Sequence, residues 1–301
     1  MAHNTRVDGV LVKERNIKKL STLYKKSYIK IVREIEGATN FGVANRRAIL
    51  KQIEVILEGL GVDVDNFIRS ELPQYYKQGA DDAIKQLREV DAPIPTPKGF
   101  NNIHKQAIEA LVDETATAFG ESLTGVKRSA TRLLGKATRE ALTQRLAEGQ
   151  ITGEALKEVK KTIVGTLRQD GLASLIDKGG KKWELDTYAE MLIRTKAVEA
   201  RNRGLANRMA ENDYDLVQVS DHNSDHEECA VWEGQILSLT GATKGYPTLA
   251  EAEASGLFHP NCKHAINVMI PRLAKITNAY DPDTETYKIP NKEAVKITRS
   301  A

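Results

Sequence analysis

FHPNCKH, residues 258–264, places His259, Cys262 and His264 within six consecutive positions. The chain has 301 residues but only two cysteines and six histidines, so this crowding needs a cause. Upstream, DHNSDHEEC at residues 221–229 adds His222, His226 and the second cysteine, Cys229. Zinc takes four Cys or His ligands, commonly as two short chelating groups joined by a loop. His-x-x-Cys is a spacing at which two side chains on a tight turn converge on one ion, and Pro260 restricts His259 to extended backbone. The pattern predicts a zinc site formed by Cys229, His259, Cys262 and His264, with His222 or His226 as substitutes. Ordinary buried cysteines or a Cys229–Cys262 disulfide would leave the histidines unexplained.

Around this cluster the sequence is β-prone. YDLVQVSD, GQILSL and AINVMI have strand length, and a short helix is expected near LAEAEA. Most of the chain before Asn212 reads as helix. In residues 14–36 the residues Ile17, Leu20, Tyr24, Tyr28, Ile31 and Ile35 define one face, with Gly37 as the C-cap. A second helix carries Ile49, Ile53, Ile56 and Leu60 and is expected to stop at Gly59-Leu60-Gly61. A third begins near Asp65, runs through Phe67, Leu72, Tyr76, Ile84 and Leu87, and is expected to kink or break at Pro73. APIPTPKG at 92–99 excludes helix and marks a boundary. From Asn102 to about Glu148 the pattern predicts one bent helix or two successive ones. Thr152 is expected to cap a further helix through Leu156, Val159, Ile163 and Leu167. Gly171, Gly179 and Gly180 mark a loop, and an amphipathic helix is expected from Asp186 to about Asn212.

The fold class is therefore mainly α, with a long helical N-terminal body and a small, zinc-stabilised α+β module at the C-terminal end. The expected division is a docking domain at 1–91, a proline-rich linker at 92–99, a helical middle region at 100–185, the His/Cys module at 186–271 and an extended tail at 272–301. No run of about 18 apolar residues is present to cross a membrane. The first residues lack the apolar stretch of a secretory signal, so synthesis and folding are expected in cytoplasm.

Charge is unevenly placed. Residues 1–50 hold eleven Lys and Arg against four Asp and Glu, whereas residues 205–260 hold two against ten. The acidic region suits a cation, and the basic one an acidic partner. Lys18, Lys19, Lys25, Lys26, Lys30 and Arg33 form the basic face of the first helix and are the candidate contacts for a protein partner or nucleic acid. No Walker loop, dinucleotide fingerprint or GxSxG element occurs. HNSDH lacks the glutamate of HExxH, which disfavours a zincin. Asp221, Asp225 and the histidines could hold a hydrolytic metal, but four Cys/His ligands favour a closed structural site, with no catalytic residues.

IRTKAVEARNRG, SDHNSDHEECAVWEGQILSLTG and GLFHPNCKHAINVMIP together resemble the minor head proteins of tailed bacteriophages. That group includes the phage Mu F-like head morphogenesis proteins and phage minor capsid protein 2. The resemblance covers about residues 186–271, and His264 stands where related sequences often carry cysteine. It implies a non-enzymatic virion protein inside the phage head, made in host cytoplasm. Its expected partners are the portal protein or neighbouring capsid subunits, and packaged DNA as a secondary contact. Its expected role is head assembly, DNA packaging or ejection. A metal-dependent nuclease, or an effector delivered with phage DNA, is the alternative.

Overall fold

The structure is a computed structural model. It describes residues 4–7, 10–89, 94, 99–148, 157–158, 160–165, 174–176, 182–224, 226–260 and 262–269, with three two-residue strands at 280–281, 286–287 and 295–296. A hairpin of β1 (Asn4–Val7) and β2 (Val10–Lys13) precedes α1 (Glu14–Glu36), α2 (Val43–Glu89) and α3 (Asn102–Glu148). A short antiparallel pair, β3 (Ser174–Ile176) and β4 (Lys182–Glu184), leads into α4 (Leu185–Ala210). The α+β module follows: β5 (Leu216–Val219), α5 (Glu227–Ala230), β6 (Ile236–Ser238), α6 (Leu249–Ala254) and β7 (Ile266–Val268). The protein is mainly helical with a small C-terminal sheet, as its sequence periodicity predicts. Thr152 and most of the proline segment and tail lie outside the described residues.

The chain divides into two compact units. One comprises residues 15–69 and 113–191, the other 1–14, 70–112 and 192–301. The dividing points fall inside α2, α3 and α4, and residues 1–91 contribute to both units.

In the first unit, Ile17, Leu20, Tyr24, Ile31 and Ile35 of α1 are buried as the three- and four-residue spacing requires. The Gly37 N–H closes the helix on the Arg33 carbonyl at 2.8 Å, and the Lys160 ammonium donates to the Glu36 carbonyl at 2.6 Å. Tyr24 meets Phe119 of α3 with ring centroids 6.5 Å apart, and Lys127 of α3 pairs with Glu54 of α2. Ile163 is buried here, as its helical spacing predicts.

The expected stops in α2 do not occur: one helix of 47 residues runs through Gly59, Gly61 and Pro73. Each glycine costs about 1 kcal/mol of helix propensity. The offset comes from packing, because Ile53, Leu57, Leu60, Val64, Phe67, Ile68 and Leu72 are all buried across that stretch. α3 is likewise a single helix.

In the second unit, α2 and α4 cross at two glycines. A Cβ on Gly79 would lie 1.8 Å from the Arg201 carbonyl oxygen, and one on Gly204 would lie 2.0 Å from that of Tyr76. Only glycine permits this approach. It brings Arg201, 1% exposed, onto Asp82 and onto the carbonyl of Ile266.

The sheet has order β6-β5-β7, antiparallel throughout, with Val217 opposite both Leu237 and Val268. Its inner face joins Ala83, Leu205 and Met209 to Trp232, Ala252, Leu257 and Ile266 in one core. Side chains serve the outer edge of β7. Asn202 Oδ1 accepts from Ile266 N at 3.2 Å, and Gln86 Oε1 accepts from Val268 N at 2.8 Å. On the other edge, Ser238 N donates to the Pro247 carbonyl at 2.8 Å. Asp215 organises the loop after β6 by accepting from Ser238 Oγ, from the Thr240 hydroxyl and amide, and from Thr243 N. Burial opposes the Asp215 charge, but these bonds outweigh it and hold the carboxyl well below the usual range.

Candidate metal centre

Cys229 enters the site from α5 and Cys262 from the turn before β7. Both are buried, with their sulfurs 3.5 Å apart and no disulfide between them. His264 places Nδ1 3.2 Å from the Cys262 sulfur. Two thiolates bound tetrahedrally to zinc at about 2.3 Å would sit about 3.8 Å apart, and a thiolate and an imidazole about 3.6 Å apart. The buried triad Cys229, Cys262 and His264 therefore has nearly the separations that one ion requires. Ligand atoms of His226, Cys229 and His259 form a second close triad, sharing Cys229, on the more exposed side. The rings of His226 and His259 stack with centroids 4.0 Å apart.

The sequence therefore supplies five neighbouring donors. Cys229, Cys262 and His264 lie together, His259 and His226 approach through Cys229, and His222 belongs to neither triad. His222 Nε2 is hydrogen-bonded with Ser220 Oγ at 2.7 Å, and its ring meets that of His264 edge-on. Asp221 is exposed, with Oδ1 accepting from Asn223 N, and Asp225 lies outside the described residues.

Sequence reasoning missed Glu233. This carboxylate is 1% exposed, and its Oε1 accepts from Ser224 N at 2.8 Å and from His222 N at 3.2 Å. His264 Nε2 lies 2.9 Å from the same oxygen. A ligating histidine commonly donates its remote N–H to a carboxylate, which fixes the tautomer and makes the near nitrogen more basic. Its only sequence signal is its place, four residues after Cys229 and just before Gly234.

Local backbone geometry aims the turn. Phe258 adopts φ 65°, unusual for an aromatic residue, and Gly256 at φ 102° passes where a Cβ would lie 2.9 Å from the Glu228 carboxylate. Cys262 N then donates to the His259 carbonyl at 2.9 Å, closing the turn that HPNC predicts.

The electrostatics distinguish the two thiols. Burial, then the neighbouring Cys262 sulfur, pushes the Cys229 thiol up to about 12. Burial also acts against a Cys262 thiolate, but hydrogen bonds from the His264 ring and backbone outweigh it and lower that thiol. Burial disfavours a charged His264, while Cys262 and Glu233 outweigh it and raise the imidazole. Cys262 and His264 thus favour each other's charged forms. A bound cation would take both cysteines as thiolates and release their protons.

The chain is thus a mainly helical protein with a small α+β module that gathers both cysteines and four of its six histidines. The family model for phage minor capsid protein 2 matches residues 41–300, and the chain belongs to that family of structural phage head proteins. The match reaches well beyond the 186–271 segment that carries the sequence resemblance and takes in α2 and α3. No curated protein and no solved structure matches the chain.

Proposed function

We propose that this chain is a portal-associated minor protein of the head interior, acting in head assembly, DNA packaging or ejection, with its C-terminal module pinned by one structural zinc. The observation that carries the metal reading is the buried Cys229–Cys262–His264 triad backed by Glu233. Cys229, Cys262 and His264 supply three ligands and His259 the fourth, with His226 its nearest substitute. Zinc would contribute folding energy there and no reaction step. The module's sheet has three short strands, and a structural zinc supplies on the order of 10 kcal/mol of apparent binding energy.

Metal analysis of purified protein is the direct test. About one zinc per chain is expected, lost to chelator together with the near-ultraviolet signal of Trp232. Metal-free protein with an unchanged melting profile would sink the zinc reading. Metal-dependent cleavage of DNA would favour the nuclease instead.

The portal reading rests on the basic face of α1. Lys18, Lys19, Lys25, Lys26, Lys30 and Arg33 are all exposed, and Lys25 pairs with Asp186 at 3.1 Å. Because residues 70–89 pack beside Arg201, deleting residues 1–91 would disturb the module as well. Charge reversal of Lys25, Lys26 and Lys30 is the cleaner experiment. It should abolish incorporation into heads, and normal incorporation would refute the docking role.

A further inference from the structure

A second basic surface lies on α3. Arg128, Arg132, Lys136 and Arg139 are all exposed, and at 3.6 residues per turn they fall within an arc of about 80°. The opposite face of the same turns buries Val126, Ala130, Leu134 and Thr138. Gly135 lies about 20° outside that arc, next to Arg128 in projection, and a Cβ there would meet nothing within 4 Å, so this flank of the stripe is open. No Asp or Glu occurs between Glu121 and Glu140. Among the described residues, Arg128, Arg132 and Arg139 form no ion pair.

Like charges three and four positions apart repel along a helix. Here three such pairs follow one another, with no acidic residue on the intervening turns. An ordinary solvated helix face mixes its signs, as α2 does where Arg69 meets Asp65 and Lys77 meets Asp81. The imbalance extends to the whole compact unit. Residues 15–69 and 113–191 hold 24 Lys and Arg against 18 Asp and Glu, whereas the unit bearing the metal site holds 20 against 23.

We propose that the Arg128–Arg132–Lys136–Arg139 stripe of α3 docks the phosphate backbone of duplex DNA. From Arg128 to Arg139 the stripe is about 16 Å long at 1.5 Å per residue. A duplex carries about nine phosphate charges over that length, one per 1.7 Å of axis. Three of the four cations are arginine, whose planar fork engages phosphate oxygens in pairs. Contacts to phosphate oxygens carry no sequence information, so the binding is independent of sequence. The choice of DNA as occupant rests on the head-interior reading, but the test does not.

The experiment is fluorescence anisotropy of the full chain with a labelled random duplex of roughly 30 base pairs, titrated between about 50 and 200 mM salt. Wild type should weaken about 100-fold over that range, as four released counterions require. R128Q/R132Q/K136Q/R139Q should lower the salt slope by about 3 to 4, while R128K/R132K/R139K should keep it. Glutamine retains helix propensity at exposed sites. If the quadruple variant fails to fold, R132Q alone should lower the slope by about one.

An unchanged slope in the glutamine variant overturns the proposal, as does a wild type that ignores the duplex. Loss of head incorporation without any duplex binding would assign the stripe to an acidic protein surface and likewise overturn it. A variant that enters heads normally but no longer binds duplex supports the proposal and leaves the α1 docking reading untouched.

Discussion

Gly79→Ala should be among the most damaging single-methyl changes in this protein, because the added carbon has no room. It would lie 1.8 Å from the Arg201 carbonyl oxygen and 2.7 Å from the carbonyl carbon, both backbone atoms that no rotamer change can move. Ordinary contact needs about 3.4 Å, so α2 and α4 must separate locally by more than 1 Å. That separation stretches the Arg201–Asp82 pair and loosens Ala83 against Leu205. Overpacking of this kind costs about 1–3 kcal/mol or more, and the broken buried polar contacts add to it. The better helix propensity of alanine returns only about 1 kcal/mol. We expect a net loss of about 3 kcal/mol, or roughly 5–10 °C in melting temperature. Gly59 lies in the same helix, and a Cβ there meets nothing within 4 Å. Gly59→Ala should therefore stabilise the protein by about 0.5–1 kcal/mol. Paired thermal and urea melts followed by far-ultraviolet circular dichroism would show the opposite signs. If Gly79→Ala melts at or above wild type, the close crossing of α2 and α4 is wrong.

Glu233→Gln should lower zinc affinity by about 10- to 100-fold in a competition assay with a chromophoric chelator, since His264 loses its charged acceptor. Unchanged affinity would remove Glu233 from the site. Cys262→Ser should destabilise the C-terminal module and abolish zinc retention, whereas a variant that keeps a full zinc equivalent would exclude Cys262 as a ligand. Asp215 has a depressed folded-state pKa, so its stabilisation is present above its unfolded value of about 3.9 and is lost as pH falls through the folded value. Asp215→Asn should cost about 1–3 kcal/mol at neutral pH, and the gap to wild type should begin to narrow only below about pH 4 and go on narrowing as the pH falls further. A gap independent of pH would show that the carboxylate charge is not what holds the loop.

Where one periodic face meets one core, the sequence reads directly. α1 places five of its six apolar positions in the core and ends at Gly37, and the three strands of the module fall within the three β-prone segments. α2 was harder because Gly59, Gly61 and Pro73 are local stop signals whose effect packing overrides. Asp8-Gly9 between Val7 and Val10 is a hairpin signal that reading for helices passes over, and the β3–β4 pair sits in a segment read as a glycine-marked loop. At the metal centre, scarce residues made the clustering visible, since cysteine and histidine are rare in this chain. Glu233 was not visible, because glutamate is common and its partner His264 lies 31 positions away. The same holds for Gly79 and Gly204, whose need for glycine arises only when two distant helices meet.

The side chains that serve the β7 edge also limit how this protein can associate. A bare sheet edge recruits further strands, which is how many modules capture extended peptides and how crowded copies aggregate. Here the outward amides of Ile266 and Val268 already bond to Asn202 and Gln86, and Ser238 is taken by Pro247. Strand addition on either side would first have to break those bonds. Those occupied amides favour recognition of this module through side-chain surfaces over strand addition at these two edges.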